Sequence, residues 1–185
     1  MPARADLRQR LVSQRQRFVA GPEGPQAQSD LARELRGVIA DLEPQCLGLY
    51  WPQRGEFNAP VALVEDQVAR KVPLALPFAQ RTPRELHYRL WDGTVPTQID
   101  DCGIPSSAGS PVVPDVVLVP CVGYTDGGFR LGYGGGYFDR TLAALRPRPK
   151  AIGVGFAAQE LATIHPQPFD IAMDVIVTEA GVRRR

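Results

Sequence analysis

Two hydrophobic periods alternate along the chain. Near the N-terminus Leu7, Leu11 and Phe18 recur at i, i+4 and i+11, one stripe of a helix. Arg4, Arg8 and Arg15 repeat that spacing on an adjacent face. The run Gly21-Pro22-Glu23-Gly24-Pro25 breaks the helix. A second helix is predicted after it, with Ser29 or Asp30 as N-cap and Leu31, Leu35, Ile39 and Leu42 as its apolar stripe. Asn58 and Pro60 start a third, which carries Val61, Val64 and Val68. A fourth begins near Gly136 with Leu142 and Leu145, and residues 159–164 predict a short fifth.

Between the helices lie continuous apolar runs of strand length. Residues 46–51 form the first, ended by Pro52. Residues 72–77 form the next, and its prolines place it at a sheet edge or mark its ends. Residues 86–90 alternate apolar and polar side chains, as a short strand does. The clearest buried strand is 115–120, followed by 151–156 and 173–177. Residues 92–113 read as a long surface loop, and 182–185 as a frayed tail.

Strands that alternate with helices and read as unbroken apolar runs predict an α/β fold. The expected architecture is three layers, α/β/α, around a mainly parallel sheet, with one domain over residues 1–185. Ligands in such sheets bind at the carboxyl ends of strands. The loops after Trp51, Pro120 and Phe156 are therefore the favoured site positions.

Charge and composition exclude several classes. Lys+Arg number 21 and Asp+Glu 20, a net charge of +1, so no overall field recruits nucleic acid or anionic membrane. No apolar run reaches the roughly 18 residues of a membrane span, and the charged N-terminus lacks a secretory pattern. Three cysteines without a Cys-x-x-Cys, and two histidines, argue against disulfides, thiolate zinc or a histidine metal centre. A reducing cytoplasm is the expected location.

The chemistry concentrates in residues 130–140. Four glycines within five positions (Gly132, Gly134, Gly135, Gly136) strip side chains from a loop that opens a helix. Its amides can then approach an anion, and the helix dipole adds positive charge. Arg130 precedes the loop, and Asp139 sits where a carboxylate could hold Mg²⁺ beside a phosphate. The loop is neither a Walker A motif nor a Rossmann fingerprint, and the same glycines could serve only as a turn. Arg4 and Arg8 are like charges one turn apart that an anion would relieve. Glu56 could bind a polar substrate group, and Trp51 could stack on a flat heterocycle. Asp170 and Asp174 could cap a turn or complete a metal site. Cys121 has no histidine near it and reads as a buried hydrophobe. His87 and His165 lie outside the favoured loops.

At these residues the chain resembles the 5-formyltetrahydrofolate cyclo-ligase family. Residues 120–140, PCVGYTDGGFRLGYGGGYFDR, match the family's long signature. Shorter matches follow in order along the whole chain, among them Leu7-Arg8, Gly55-Glu56, Gly103-Ile104-Pro105, residues 152–159, Asp170 and residues 177–179. A monomer is expected, and the resemblance implies that it cyclises 5-formyltetrahydrofolate to 5,10-methenyltetrahydrofolate with ATP and Mg²⁺, releasing ADP and phosphate. It implies that Arg4, Arg8, Arg130, Leu131, Gly132, Tyr133, Gly134, Gly135, Gly136, Tyr137 and Phe138 contact ATP. Arg8, Trp51, Glu56 and residues Tyr133, Gly134, Gly135, Gly136 and Tyr137 would border the folate. Arg130 and Asp139 would be catalytic, with Asp139 and Asp170 the Mg²⁺ ligands. Replacing Asp139 by alanine is expected to stop turnover with little loss of fold.

Five positions depart from the family's usual residues: Arg4 for Lys, Ala59 for Thr, Cys121 for Gly, Thr125 for Asp and Phe169 for His. Ala59, Thr125 and Phe169 are expected near the pocket, where they would bear on the substrate more than on the nucleotide. A paralogue that binds ATP or folate without this turnover, or that acts on another formyl or amide compound, is the alternative.

Overall fold

The computed structural model describes residues 4–64 and 71–185. The first three strands are β1 (Leu47–Gly48), β2 (Leu74–Gln80) and β3 (Glu85–Trp91). A ribbon of β4 (Gln98–Ile99) and β5 (Pro105–Ser106) precedes β6 (Val116–Pro120), and a second ribbon of β7 (Gly123–Tyr124) and β8 (Arg130–Leu131) follows it. The chain ends with β9 (Lys150–Val154), β10 (Val175–Thr178) and β11 (Gly181–Arg184). Among the described residues seven of these form one sheet in the order β11-β10-β9-β6-β1-β2-β3. The five inner strands are parallel, and β3 and β11 close the edges antiparallel.

Alternate side chains of the inner strands feed two cores. Leu47, Leu49, Val116, Leu118, Ile152 and Val154 face α2 (Gly24–Leu42), which brings Leu31, Leu35, Val38 and Ile39, and α3 (Ala59–Val64), which brings Leu63. Val117, Val119, Ala151 and Ile176 face the other way, toward Leu142 of α4 (Tyr137–Ala144). Each buried aliphatic side chain contributes about 1.5–3 kcal/mol, so both faces must stay covered. The layers are α/β/α, as expected. α1 (Arg4–Ala20) seals a third small cluster through Leu11 and Val12, against Val122, Leu131 and Ile164.

Numbered in chain order, the parallel strands β1, β2, β6, β9 and β10 lie in the order 2-1-3-4-5. The chain leaves β1 toward one edge and β6 toward the other. A crevice opens where their outgoing loops part.

Several elements differ from expectation. α2 begins at Gly24, not at Ser29 or Asp30, because Pro25 fits a first turn that has no amide to lose. The break before it is one tight turn, and a Cβ on Gly24 would collide with the Val19 carbonyl oxygen. In α3 the buried residues are Ala59, Pro60 and Leu63, while Val61 is exposed. Val68 lies outside the described residues. β2 is an interior strand, yet β1 pairs only with Leu74 and Ala75. Pro77 follows the last β1–β2 bond, from the Leu49 amide to the Ala75 carbonyl, and has no N–H to carry that ladder further, while on its other side it stands opposite Tyr88 of β3. The 92–113 loop carries β4 and β5 and is pinned by Asp100, which accepts from the amides of Cys102, Ile104 and Ala79 at 2.8, 2.9 and 3.1 Å. The expected helix over 159–164 is a short 3₁₀ turn, Ala157–Gln159, after which the Leu161 amide is held by the Tyr124 carbonyl at 2.8 Å. Residues 182–184 are not frayed: β11 pairs with β10, Val182 opposite Val177 and Arg183 opposite Ile176.

Candidate active site

A cavity of about 620 Å³ opens at the carboxyl ends of β1 and β6. All the site residues expected from the sequence line this one cavity: Arg4, Arg8, Trp51, Glu56, the run from Arg130 to Asp139, and Asp170. Of the three favoured loops, those after Trp51 and Pro120 reach it, whereas the one after Phe156 does not. That loop is a brace. Gln159 is buried and donates through Nε2 to the carbonyls of Cys121 and Val122 at 3.1 and 2.6 Å. The β9–β10 connection takes its place in the cavity, with Gln167, Phe169 and Asp170.

The glycine loop forms one wall of the cavity. Among the described residues, the amides of residues 133–136 donate to no protein acceptor. Gly134 and Gly136 have φ +94° and +69°, a conformation other residues adopt at a cost. Gly136 leads directly into α4, whose N-terminal end adds partial positive charge. Arg8 Nε donates to the Gly132 carbonyl at 2.7 Å, which lays its guanidinium against Gly134. Burial, and then the nearby Arg4, lower the Arg8 pKa, so an anion between the two would be stabilised. Open amides, a helix start and two guanidinium groups make an anion nest.

Two aspartates continue this wall. Asp139 accepts from Arg130 Nη2 at 3.0 Å through Oδ2 and from the Ile171 amide at 3.1 Å through Oδ1. Asp170 Oδ2 accepts from Arg4 Nη2 and from the Gln167 amide, both at 2.7 Å. The Ile171 bond sets the chain at Asp170 beside Asp139. Among the described residues no three acidic, His or Cys side chains cluster. Such a donor set fits Mg²⁺, which keeps several waters and takes one or two carboxylates plus phosphate. It does not make a cage that would hold the ion alone.

The opposite wall is drier. Glu56 is buried; its Oε2 accepts from the Gln53 amide and its Oε1 from the Tyr133 hydroxyl, each at 2.8 Å. Burial pushes its carboxyl up from the usual range, and Arg15 is the largest opposing influence. The Tyr133 hydroxyl, pushed up to about 12 by burial and then by Glu56, stays protonated and donates. Trp51 stands at the end of the β1 run, edge-on to Trp91 at 6.2 Å. Cys102 and Tyr137 meet across the mouth, sulfur to hydroxyl, at 3.1 Å.

Arg15 was assigned no role from sequence, although it shares the spacing of Arg4 and Arg8. It is 2% exposed and binds the loops that carry Glu56 and Tyr133. Two expected pocket departures lie elsewhere. Ala59 is fully buried in α3, and Thr125 backs the β7–β8 turn, because that ribbon folds its tip away from the cleft. Phe169 is at the rim, 65% exposed. Cys121 is buried with its thiol pushed up to about 12, so it is no nucleophile. Asp174 lies outside the cavity and accepts from the Ala151 amide. His87 and His165 are exposed and also outside it.

The model of the 5-formyltetrahydrofolate cyclo-ligase family matches residues 1–179. The chain belongs to the 5-formyltetrahydrofolate cyclo-ligase family. As a member it is a ligase-class enzyme of folate one-carbon chemistry. The 5-formyltetrahydrofolate cyclo-ligase of Haemophilus influenzae is 24% identical over 163 residues, 82% of this chain and 86% of that one. The cyclo-ligase of Mycoplasma pneumoniae is 34% identical over 65 residues, a match spanning 35% of this chain and 39% of that relative's length. The NMR structure of the Aquifex aeolicus 5,10-methenyltetrahydrofolate synthetase superposes with a TM-score of 0.79 at 26% identity, covering 98% of this chain and 92% of that one. The Mycoplasma pneumoniae synthetase structure shares the fold, with a TM-score of 0.75 at 19% identity over 96% of this chain and 99% of that one. No helix among the described residues is long and apolar enough to cross a membrane.

Proposed function

We propose that the protein closes 5-formyltetrahydrofolate to 5,10-methenyltetrahydrofolate, consuming ATP in the presence of Mg²⁺ and releasing ADP and phosphate. One observation carries this: a single cleft joins a row of open amides flanked by Arg8 to a buried carboxylate, Glu56. The first suits a triphosphate and the second a polar heterocycle with N–H donors.

Phosphoryl transfer needs mainly positioning and charge neutralisation. The amides of residues 133–136, the start of α4 and Arg8 would hold the phosphates. Asp139 and Asp170 would hold Mg²⁺, which when bound neutralises charge on the transferring group. On the other wall each Glu56 oxygen keeps a lone pair after its protein partner is satisfied. The carboxylate can thus accept two N–H groups from the edge of the pterin, beside Trp51. The formyl oxygen takes the γ-phosphoryl group as the bond to ADP breaks. The lone pair of the second folate nitrogen then attacks the formyl carbon, the carbon–oxygen bond breaks, and phosphate leaves; that nitrogen's proton goes to solvent. No protein nucleophile is required, in keeping with the inert Cys121.

The test is direct. Purified protein with 5-formyltetrahydrofolate, ATP and Mg²⁺ is expected to develop the methenyl absorbance and release ADP one for one. No absorbance and no ADP at high enzyme concentration would overturn the assignment. ADP release with an acceptor other than the formyl folate would reassign the substrate.

A further inference from the structure

Arg15 has no part in the chemistry just described, yet it is among the most buried charges of the molecule. Its guanidinium donates to the Cys121 carbonyl at 3.2 Å, to the Arg54 carbonyl at 3.2 and 3.3 Å, and to the Tyr133 hydroxyl at 2.6 Å. Glu56 Oε1 lies 3.9 Å away. These partners come from the end of β6, the turn after β1 and the glycine loop. Arg54 and Gly55 hold that turn in the left-handed region, φ +49° and +77°.

Arginine has only donors, so the direction of the chain of hydrogen bonds is fixed. Tyr133 oxygen accepts from Arg15, and its single proton must go to Glu56. We propose that Arg15 is a positioning residue for folate: it fixes the Tyr133–Glu56 pair in one arrangement and keeps that carboxylate ionised, so that Glu56 presents only acceptors to the substrate. The proposal rests on the folate reading of the cleft.

The surroundings of Glu56 support it. Arg15 faces it from α1, Arg54 from its own turn, Tyr133 from the glycine loop, Tyr50 from the end of β1 and Cys121 from beyond β6. Burial pushes the Tyr50 hydroxyl and the Cys121 thiol up, so both remain neutral. The charge near Glu56 comes from Arg15 and Arg54, and Arg54 is exposed, over the Tyr133 ring. Removing Arg15 leaves a buried carboxylate without a buried cation.

Two variants and two readouts decide the matter. Arg15→Gln is expected to raise the KM for 5-formyltetrahydrofolate roughly tenfold or more while the KM for ATP stays within about twofold. The acid limb of kcat/KM for folate moves to higher pH, because loss of the cation makes Glu56 easier to protonate. Arg15→Lys keeps the charge without the fork; it is expected to hold the limb in place and raise the folate KM about 3–10-fold. Independently of turnover, a ¹³C NMR titration of the Glu56 carboxyl, assigned with Glu56→Gln, is expected to show a midpoint about one unit higher in Arg15→Gln. An unmoved midpoint, equal rises in both KM values, or a wild-type folate KM in Arg15→Lys would each overturn the proposal. If Arg15→Gln does not fold, the Arg15→Lys kinetics still decide it. A wild-type enzyme that forms no methenyl product would sink the folate reading, while the titration would still judge the Arg15–Glu56 coupling.

Discussion

The two walls of the cleft use the same side chains for different work. On one, Arg15 and Glu56 are 2% and 8% exposed and communicate through a tyrosine oxygen. Their other bonds end on backbone carbonyls and an amide that cannot move independently. On the other, Arg4 meets Asp170 directly at 2.7 Å, the two side chains 25% and 9% exposed, and Arg4 also donates to the Ile164 and His165 carbonyls. A solvent-accessible pair contributes about 0–1 kcal/mol. Breaking a buried one costs roughly 3–5 kcal/mol. Depth therefore separates a fixed template from a pair that can exchange partners. In the proposed function Arg4 would keep its carbonyl partners when Asp170 turns to a cation, whereas Arg15 and Glu56 would hold the shape that a rigid heterocycle meets.

Asp139 lies between these extremes, and its removal is expected to have the largest effect. It pairs with Arg130, whose side chain is 5% exposed and whose Nε has no hydrogen-bond partner among the described residues. Asp139→Asn keeps the shape and loses the charge, so turnover is expected to fall more than about 100-fold with a small change in melting temperature. Asp139→Ala also strands a buried guanidinium and is expected to cost about 3 kcal/mol of stability, contrary to the sequence-based expectation that the fold would be spared. An Asp139→Asn enzyme with more than a tenth of the wild-type rate would show that this wall does not work through the carboxylate's charge.

Gly134 sharpens the contrast. A Cβ there would be held at φ +94° and lie 3.2 Å from the Arg8 guanidinium carbon. With about 1–2 kcal/mol of strain, Gly134→Ala is expected to raise the KM for ATP roughly tenfold and leave the folate KM within about twofold. Equal rises would mean that the walls are one mechanical unit. Arg4→Gln is expected to do less: melting within about 1 kcal/mol of wild type, and an ATP KM only a few-fold higher.

Sequence made the glycine-loop wall legible because its parts are contiguous. Four glycines in five positions, Arg130 before them and Asp139 after them declare an anion loop without reference to the rest of the chain. The parallel sheet was legible for a similar reason, since β6 is a pure apolar run. Arg15 was not, because what defines it is tertiary: carbonyls from residues 54 and 121 and a hydroxyl from residue 133. Its only local trace was the shared i, i+4, i+11 spacing with Arg4 and Arg8. β11 was hidden because one valine among arginines has no strand period, and it exists by pairing with β10. Thr125 was placed near the pocket by its closeness in sequence to the glycine loop, which the β7–β8 ribbon undoes in space.

The smallest effect is expected at Phe169, a departure from the family residue that does reach the cavity. Its side chain stands at the rim of the exchangeable wall, next to Asp170, and is mostly in solvent. Substitutions at such positions change stability by about 0.5 kcal/mol or less. Phe169→His, which restores the common residue, is therefore expected to leave melting unchanged and shift the folate KM less than about threefold. The depth rule requires this outcome, since a ring that buries nothing in the free protein fixes nothing there. A tenfold gain in folate affinity would mean instead that the rim closes over bound substrate. The exposed wall would then contribute shape as well as charge, and the division between template and exchangeable pair would hold only for the empty cleft.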